Sequence, residues 1–275
     1  MTVTRFAPSP TGYLHLGHAH SALVGWHRAR ANSGRFLLRI EDIDPARCRP
    51  EFEVAILEDL DWLGLDRDRP VRRQSDHLAD YQAALDRLRD MGLTYPCFCS
   101  RKDIAAAATA PHGPEGPVYP GTCRNQPADL VRERQARGDP YALRLDVARA
   151  QALAGPLTFT DEGEGTVHAK PETLGDVVLA RRDAPASYHL CVTVDDHLQG
   201  VTLVTRGIDL FHATHIHRLL QAILDLNVPT YRHHLLLTNA AGERLSKRDG
   251  AVAIRALRQA GRSAAEVRAL AGFSG

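Results

Sequence analysis

Short apolar runs alternate with amphipathic stretches along this chain. Thr4-Arg5-Phe6 reads as the end of a first strand, the Pro8 to Gly12 cluster breaks it, and a helical pattern follows from Leu16 through Leu23 to Trp26. Next come a strand at Arg35 to Ile40, helices at Glu51 to Leu63 and Asp76 to Met91, and a strand at Thr94 to Phe98. That order predicts an α/β fold built on an open parallel sheet. Between Cys97 and about Asp183 the texture turns Ala-, Pro- and Gly-rich, with short strands at Tyr141 to Leu145 and Asp176 to Ala180. An insertion between two βα halves accounts for this change. The second half resumes with a helix at Ser187 to Asp196, a strand at Val201 to Thr205, a helix at Asp209 to Leu226 and a strand at His234 to Leu237. A small helical segment from Ala251 to Leu270 follows. The expected division is therefore 1–96, 97–183, 184–250 and 251–275. In such a sheet ligands bind beyond the carboxyl ends of the strands, which would gather the blocks around Pro8, Glu41, Arg206 and Lys247.

Composition narrows the class without naming a chemistry. The 275 residues can bury a sizeable core, and no apolar run approaches the ~20 residues that span a bilayer. The N-terminus Met-Thr-Val-Thr-Arg-Phe lacks a secretory hydrophobic region, so a cytoplasmic protein without membrane attachment is expected. Net charge is only +1. Any nucleic-acid contact must then come from local arginine clusters such as Arg67, Arg69, Arg72 and Arg73, or Arg132, Arg134 and Arg137, each of which could equally be a solvated face. A monomer is expected.

Five cysteines in a cytosolic chain point away from disulfides. Cys97 and Cys99 stand at one end of a Pro- and Gly-rich loop, and Tyr119 and Cys123 at the other. Three thiolates converging there suit a four-coordinate structural zinc. Ligand chemistry alone nominates His112 in the loop as the fourth donor. Cys48 and Cys191 have no evident partner and read as buried thiols.

The run Pro8-Ser-Pro-Thr-Gly-Tyr-Leu-His-Leu-Gly-His18 carries the most chemistry. A strand, a tight loop and a helix N-terminus form an anion site, because the first backbone N–H groups of the helix are unpaired. His15 and His18, three apart, share one helix face. Far downstream, Lys247 is one of three lysines in a chain that otherwise uses arginine, and it sits in the polar stretch Arg244-Leu245-Ser246-Lys247-Arg248. A lysine on a mobile loop can answer charge developing on a phosphate chain.

Together these blocks resemble the signatures of class I aminoacyl-tRNA synthetases. His15-Leu16-Gly17-His18 is similar to the HIGH motif, and Leu245-Ser246-Lys247-Arg248 to the KMSKS loop in its glutamyl variant. Arg5-Phe6-Ala7-Pro8-Ser9-Pro10-Thr11-Gly12, Arg39-Ile40-Glu41-Asp42-Ile43-Asp44 and Val204-Thr205-Arg206-Gly207-Ile208-Asp209-Leu210 resemble the glutamyl group in particular. The resemblance spans nearly the whole chain. It implies a doubly wound, Rossmann-like catalytic domain with an inserted zinc-containing α+β subdomain and a short C-terminal helical segment, without an anticodon-binding domain. It further implies that His15, His18 and Lys247 are catalytic, that Gly17 joins them in binding ATP with Mg²⁺, and that Arg5, Ser9, Glu41, Tyr188 and Arg206 bind glutamate. For the metal it implies Tyr119 beside Cys97, Cys99 and Cys123.

The charges agree with that implication. An acidic amino acid needs cations for its carboxylates, which Arg5 and Arg206 offer, and an acid for its ammonium, which Glu41 offers. Only about one helical segment follows Lys247, so the chain resembles the truncated paralogues of the glutamyl group. Those attach glutamate to the queuosine base at the wobble position of tRNA(Asp). The remaining readings are a minimal enzyme charging a tRNA 3′ end, an ATP-dependent ligase joining glutamate to a small amine, and a silent RNA-binding module.

Overall fold

The computed structural model describes residues 1–100, 102–104, 118–181, 184–237 and 252–273. Its first βα half consists of β1 (Val3–Phe6), α1 (Leu16–Arg30), β2 (Arg35–Ile40), α2 (Pro50–Trp62) and β3 (Asp68–Arg73). The strands form a parallel sheet in the order β1-β2-β3. Side chains of β2 alternate between its faces. Phe36, Leu38 and Ile40 pack with Leu23 of α1 and Ile56 and Leu60 of α2, while Leu37 packs with Val3 on the other side. A one-residue period is what a strand covered on both faces requires.

After α3 (Leu78–Asp90) come β4 (Thr94–Cys97), α4 (Ala128–Ala136), β5 (Ala142–Leu145), α5 (Val147–Ala154), the hairpin β6 (Thr158–Asp161) and β7 (Gly165–His168), and β8 (Val178–Arg181). The second half is α6 (Tyr188–Leu198), β9 (Leu203–Gly207), α7 (Ala213–Ile223) and β10 (Thr230–His234), then α8 (Ile254–Gln259) and α9 (Ala264–Leu270). Strands β9 and β10 pair in parallel, and β10 also pairs with β6. The two halves meet beside β1, where the Thr202 amide donates to the Val3 carbonyl at 3.0 Å and the Thr202 hydroxyl accepts from the Val3 amide at 2.9 Å. Helix α1 approaches closely because Gly25 has no side chain. A Cβ there would meet Thr205 Oγ1 at 3.0 Å, and its carbonyl accepts from Thr4 Oγ1 at 2.8 Å.

Three expectations change. The strand expected at His234 to Leu237 lies earlier, at Thr230–His234, where the backbone is in register with Leu203 to Gly207. Leu235 is 80% exposed, while Leu236 and Leu237 line the cleft described below. The helix expected from Asp209 to Leu226 begins as a 3₁₀ turn at Ile208–Leu210 and is α-helical only over Ala213–Ile223. Strand β4, just before the expected insertion, forms an antiparallel sheet with β5 and β8 of that stretch, whereas the β6–β7 hairpin adds to β10 and β9 in the order β7-β6-β10-β9. Helices α8 and α9 seal the α1–α2 face through Ile254, Val267 and Ala271.

The arginine clusters are mostly spoken for. Arg67 pairs with Asp61, Arg72 with Asp80 and Asp195, and Arg73 with Glu53. On α4 and the turn after it, Arg132, Arg134 and Arg137 pair with Asp129, Asp139 and Glu133. Their charges are locally answered and make no bare basic stripe.

Candidate active site

A cleft of about 470 Å³ opens at the carboxyl ends of β1, β2 and β9. Arg5, Ser9, His15, Gly17, His18, Glu41, Tyr188 and Arg206 all line it. These are the residues singled out from the sequence, brought together from four elements and two loops. Lys247, with Arg244 to Arg248, lies outside the described residues. The chain re-enters at Ala253, whose backbone bridges to His15, and the Ile254 amide donates to the Leu14 carbonyl at 2.8 Å.

The two imidazoles build their own helix start. His15 is the extended N-cap residue of α1, its Nδ1 accepting from the Gly17 amide at 3.1 Å, while His18 Nδ1 accepts from the His15 amide at 3.2 Å. This reciprocal pair is a capping box with imidazoles in place of the usual hydroxyl and carboxylate. Because each Nδ1 accepts, each neutral ring carries its proton on Nε2, the donor form that a phosphate oxygen needs. The rings sit 3.8 Å apart. At Gly17 a Cβ would lie 3.0 Å from His15 Cε1, so a larger residue there would crowd the ring.

Beneath the cleft lies an ion network that joins residues of the quoted blocks to Asp195 and Asp196. Arg39 is fully buried and donates to Asp196 Oδ1 at 2.7 Å and to Glu41 Oε1 at 3.3 Å, with Asp195 at 3.6 Å. Arg5 donates to the same Asp196 oxygen at 3.0 Å and to the Thr205 carbonyl at 3.1 Å. Asp195 in turn accepts from Arg72, Gln74 and Tyr81 at 2.7, 3.0 and 2.9 Å. Burial pushes the Glu41 carboxyl up, and the nearby Arg39 and Arg5 charges pull it back. In Asp196 the two arginines outweigh burial and hold the carboxyl low.

Arg206 is treated differently. The residue is 5% exposed, and its guanidinium donates to His233 Nε2 at 3.1 Å, Tyr188 Oη at 3.3 Å, His217 Nδ1 at 3.2 Å and Thr214 Oγ1 at 2.6 Å. Each of these acceptors is neutral. Burial, and after it the Arg206 charge, pushes His233 and His189 down to about 4 and His217 well below the ordinary range. A buried cation that neutral groups hold at the wall of a cleft can take an anionic partner.

The cleft's fold has relatives. The model for the catalytic domain of class I tRNA synthetases (E and Q) matches residues 1–270. The chain belongs to this synthetase family. A glutamyl-Q tRNA(Asp) synthetase of Rhodobacter capsulatus is 52% identical over 281 residues, covering 98% of this chain and 100% of the relative. One from Nocardia farcinica is 47% identical, covering 97% of this chain and 82% of the relative. Among solved structures, a glutamate tRNA ligase from Elizabethkingia meningosepticum in complex with its amino acid superposes with a TM-score of 0.75 at 28% identity, over 90% of this chain. This chain spans about half of that ligase, 52% of its length. The parallel sheet and the cleft are thus those of a class I catalytic domain.

At the far end of the synthetase fold, the Cys97, Cys99 and Cys123 sulfurs lie within 4.8 Å of one another. Tyr119 Oη stands 3.9 Å from Cys99 Sγ and accepts from the Cys123 amide at 2.8 Å, while its ring lies under the Arg144 guanidinium at 3.8 Å. Three thiols so placed could hold a metal ion, with the phenol oxygen beside them. His112 lies outside the described residues. Cys191 is buried as expected, and Cys48 is half-buried with its thiol 3.8 Å from the Glu41 carbonyl.

Sequence reasoning passed over Arg39, Asp195, Asp196, His217, His233 and Asp161. A signal existed for some of them: Asp195 and Asp196 end the apolar run Leu190 to Val194, and Arg39 interrupts an otherwise apolar strand. Charges in such positions have partners or cost several kcal/mol.

Proposed function

We propose that this chain activates L-glutamate with ATP as glutamyl-adenylate and transfers the glutamyl group to the queuosine base at the wobble position of tRNA(Asp). The observation that carries the first half is Arg206, a buried cation with four neutral partners lining the same cleft as the His15–His18 pair. An acidic side chain, unlike its amide, would compensate that charge. The second half rests on relatives named for this acceptor that align over nearly all of this chain.

In this reading a glutamate carboxylate oxygen attacks the α-phosphorus of ATP and pyrophosphate leaves. The protein's part is positioning and electrostatic stabilisation. Arg5, Ser9, Tyr188 and Arg206 hold the amino acid and Glu41 takes its ammonium. His15, His18 and Lys247 are the catalytic donors, binding the phosphates together with the Gly17 amide. Mg²⁺ would accompany the nucleotide. A hydroxyl of the queuosine cyclopentenediol then attacks the acyl carbon, and AMP leaves. Cys97, Cys99, Tyr119 and Cys123 would hold one structural zinc. The working division is 1–96 and 184–250 as catalytic halves, 97–183 as the zinc-bearing insertion and 251–275 as a C-terminal helical segment, in a cytoplasmic monomer.

Labelled glutamate decides the acceptor. Transfer is expected to queuosine-containing tRNA(Asp) and to fail with the same tRNA lacking the modified base. Periodate should block it through the wobble diol. Comparable charging of tRNA(Glu) at its 3′ end would make the protein a minimal glutamyl-tRNA synthetase instead. Exchange of labelled pyrophosphate into ATP should favour glutamate over glutamine and aspartate, and a small-amine ligase would leave no label on RNA.

A further inference from the structure

Among the described residues, Arg206 reaches a carboxylate through an imidazole. Arginine has no acceptor, so His233 Nε2 must accept the bond from Arg206 Nε at 3.1 Å, and the ring proton therefore sits on Nδ1. That nitrogen donates to Asp161 Oδ2 at 2.6 Å. Both side chains are 1% exposed, and His233 is not among the residues lining the cleft. Asp161 comes from β6, the hairpin strand that pairs with β10, with Asp161 in register with Tyr231. Its other oxygen is used too: Oδ1 accepts from the Gly163 amide at 2.8 Å and the Glu164 amide at 3.3 Å. The carboxylate is fixed by its own turn before it meets the imidazole.

The opposite side of the guanidinium is built alike. His217 Nδ1 accepts from Arg206 Nη1, so its proton sits on Nε2 and is given to His189 Nδ1 at 3.2 Å. Thr214 and Tyr188 oxygens take the remaining bonds. A carboxylate placed directly on Arg206 would have neutralised it, as Asp196 does for Arg5. Here one imidazole separates acid from cation. The acid sets the tautomer, the tautomer presents a lone pair, and the lone pair orients the guanidinium without cancelling its charge.

We propose that Asp161 and His233 are positioning residues for the amino-acid substrate, holding Arg206 oriented and uncompensated so that it selects an acidic side chain over its amide. This inference rests on the glutamate reading above. It also makes the β6–β7 hairpin part of amino-acid selection.

The isosteric change Asp161→Asn tests it. If Asn keeps Oδ1 on the Gly163 and Glu164 amides, its NH₂ faces His233 Nδ1. The imidazole must then move its proton to Nε2, where it opposes the Arg206 N–H, the wrong-tautomer fault known from carboxylate–histidine pairs. Measured by pyrophosphate exchange and by calorimetric binding, Asp161→Asn should weaken glutamate about ten- to a hundredfold, the scale on which outer-shell partners are felt. The KM for ATP should stay within about twofold of wild type and the glutamate-over-glutamine ratio should fall. His233→Gln, whose amide oxygen can still accept from Arg206, should retain more glutamate affinity than His233→Ala. Thermal melts of all three variants identify one that fails to fold; should His233→Ala be that one, Asp161→Asn and His233→Gln carry the comparison. Wild type binding glutamate with Asp161→Asn unchanged in both KM and selectivity would overturn the inference and leave the proposed function standing. Equal losses for glutamate and ATP would also overturn it, as a structural effect. Wild type binding no glutamate would overturn the glutamate reading and this inference with it.

Discussion

Arg5 on β1 and Arg39 on β2 share a single carboxylate oxygen, Asp196 Oδ1, at 3.0 and 2.7 Å. Asp196 projects from α6, so one acid from the second half of the fold fixes two cations from the first. Three buried or half-buried arginines, Arg5, Arg39 and Arg72, thus meet three acids, Glu41, Asp195 and Asp196, under the cleft floor. Arg206 stands outside that neutrality. Arg39, Arg72, Asp195 and Asp196 join the two halves beneath the cleft, while Arg5 and Glu41 of the same network also line it.

Asp196→Ala should therefore act chiefly on stability. It strands Arg39 and Arg5 with too few partners in a dry environment, and breaking a buried pair in this way typically costs about 3–5 kcal/mol. Urea unfolding of the variant against wild type measures it. A loss under about 1 kcal/mol would mean that water reaches the network.

Gly17→Ala separates stability from chemistry. Alanine in a helix is favoured over glycine by up to about 1 kcal/mol, yet its Cβ would crowd the His15 ring. The expected outcome is a melting temperature no lower than wild type with adenylate formation reduced. His15→Ala and Lys247→Ala should each depress exchange by about ten- to a thousandfold, the effect of removing one transition-state donor. Near-normal exchange in Lys247→Ala would return that loop to an ordinary surface turn.

Metal analysis should find one zinc per chain in protein purified without chelator, and Cys123→Ser should lose it. Tyr119→Phe should weaken binding, because its oxygen lies beside the three sulfurs. If His112→Ala loses the metal while Tyr119→Phe keeps it, the fourth ligand is His112. Sub-stoichiometric zinc in wild type would remove the metal altogether.

The histidine cage predicts an acid-sensitive fold. His189 and His233 take up a proton only near pH 4 in the folded state because burial and then Arg206 oppose it, whereas an unfolded histidine does so near 6.5. Between those values the unfolded chain binds more protons, so this part of the stability is complete above pH 6.5 and is lost as pH falls towards 4. His217 acts in the same direction. Asp59, pushed up to about 6 by burial, opposes them by gaining its proton early in the folded state. Unfolding free energies from urea titrations at pH 7 and pH 4.5 should differ by on the order of a few kcal/mol. Asp59→Asn should steepen that dependence, and a flat profile would show the cage open to water.

The residues that line the cleft were legible because their blocks are local. The HIGH-like block must combine a strand end, a tight loop and a helix start in one stretch of chain, and Arg5, Glu41 and Arg206 each sit in a distinctive block at a strand end. The apolar run in Arg35–Ile40 and the helical period of Glu51 to Leu63 also follow from neighbours a few residues apart. Strand β10 was misplaced because Leu235 to Leu237 are more apolar than Thr230–His234, and pairing with β9 overrode that local signal. Hairpin β6–β7 carries too few apolar residues to declare which sheet it joins. Partnership is the part that only tertiary structure could decide. Asp161 and His233 are 72 positions apart and Arg5 and Asp196 are 191 apart. A residue's type fixes whether it can donate or accept, but which arginine is neutralised and which stays charged depends on what the fold brings within hydrogen-bond reach.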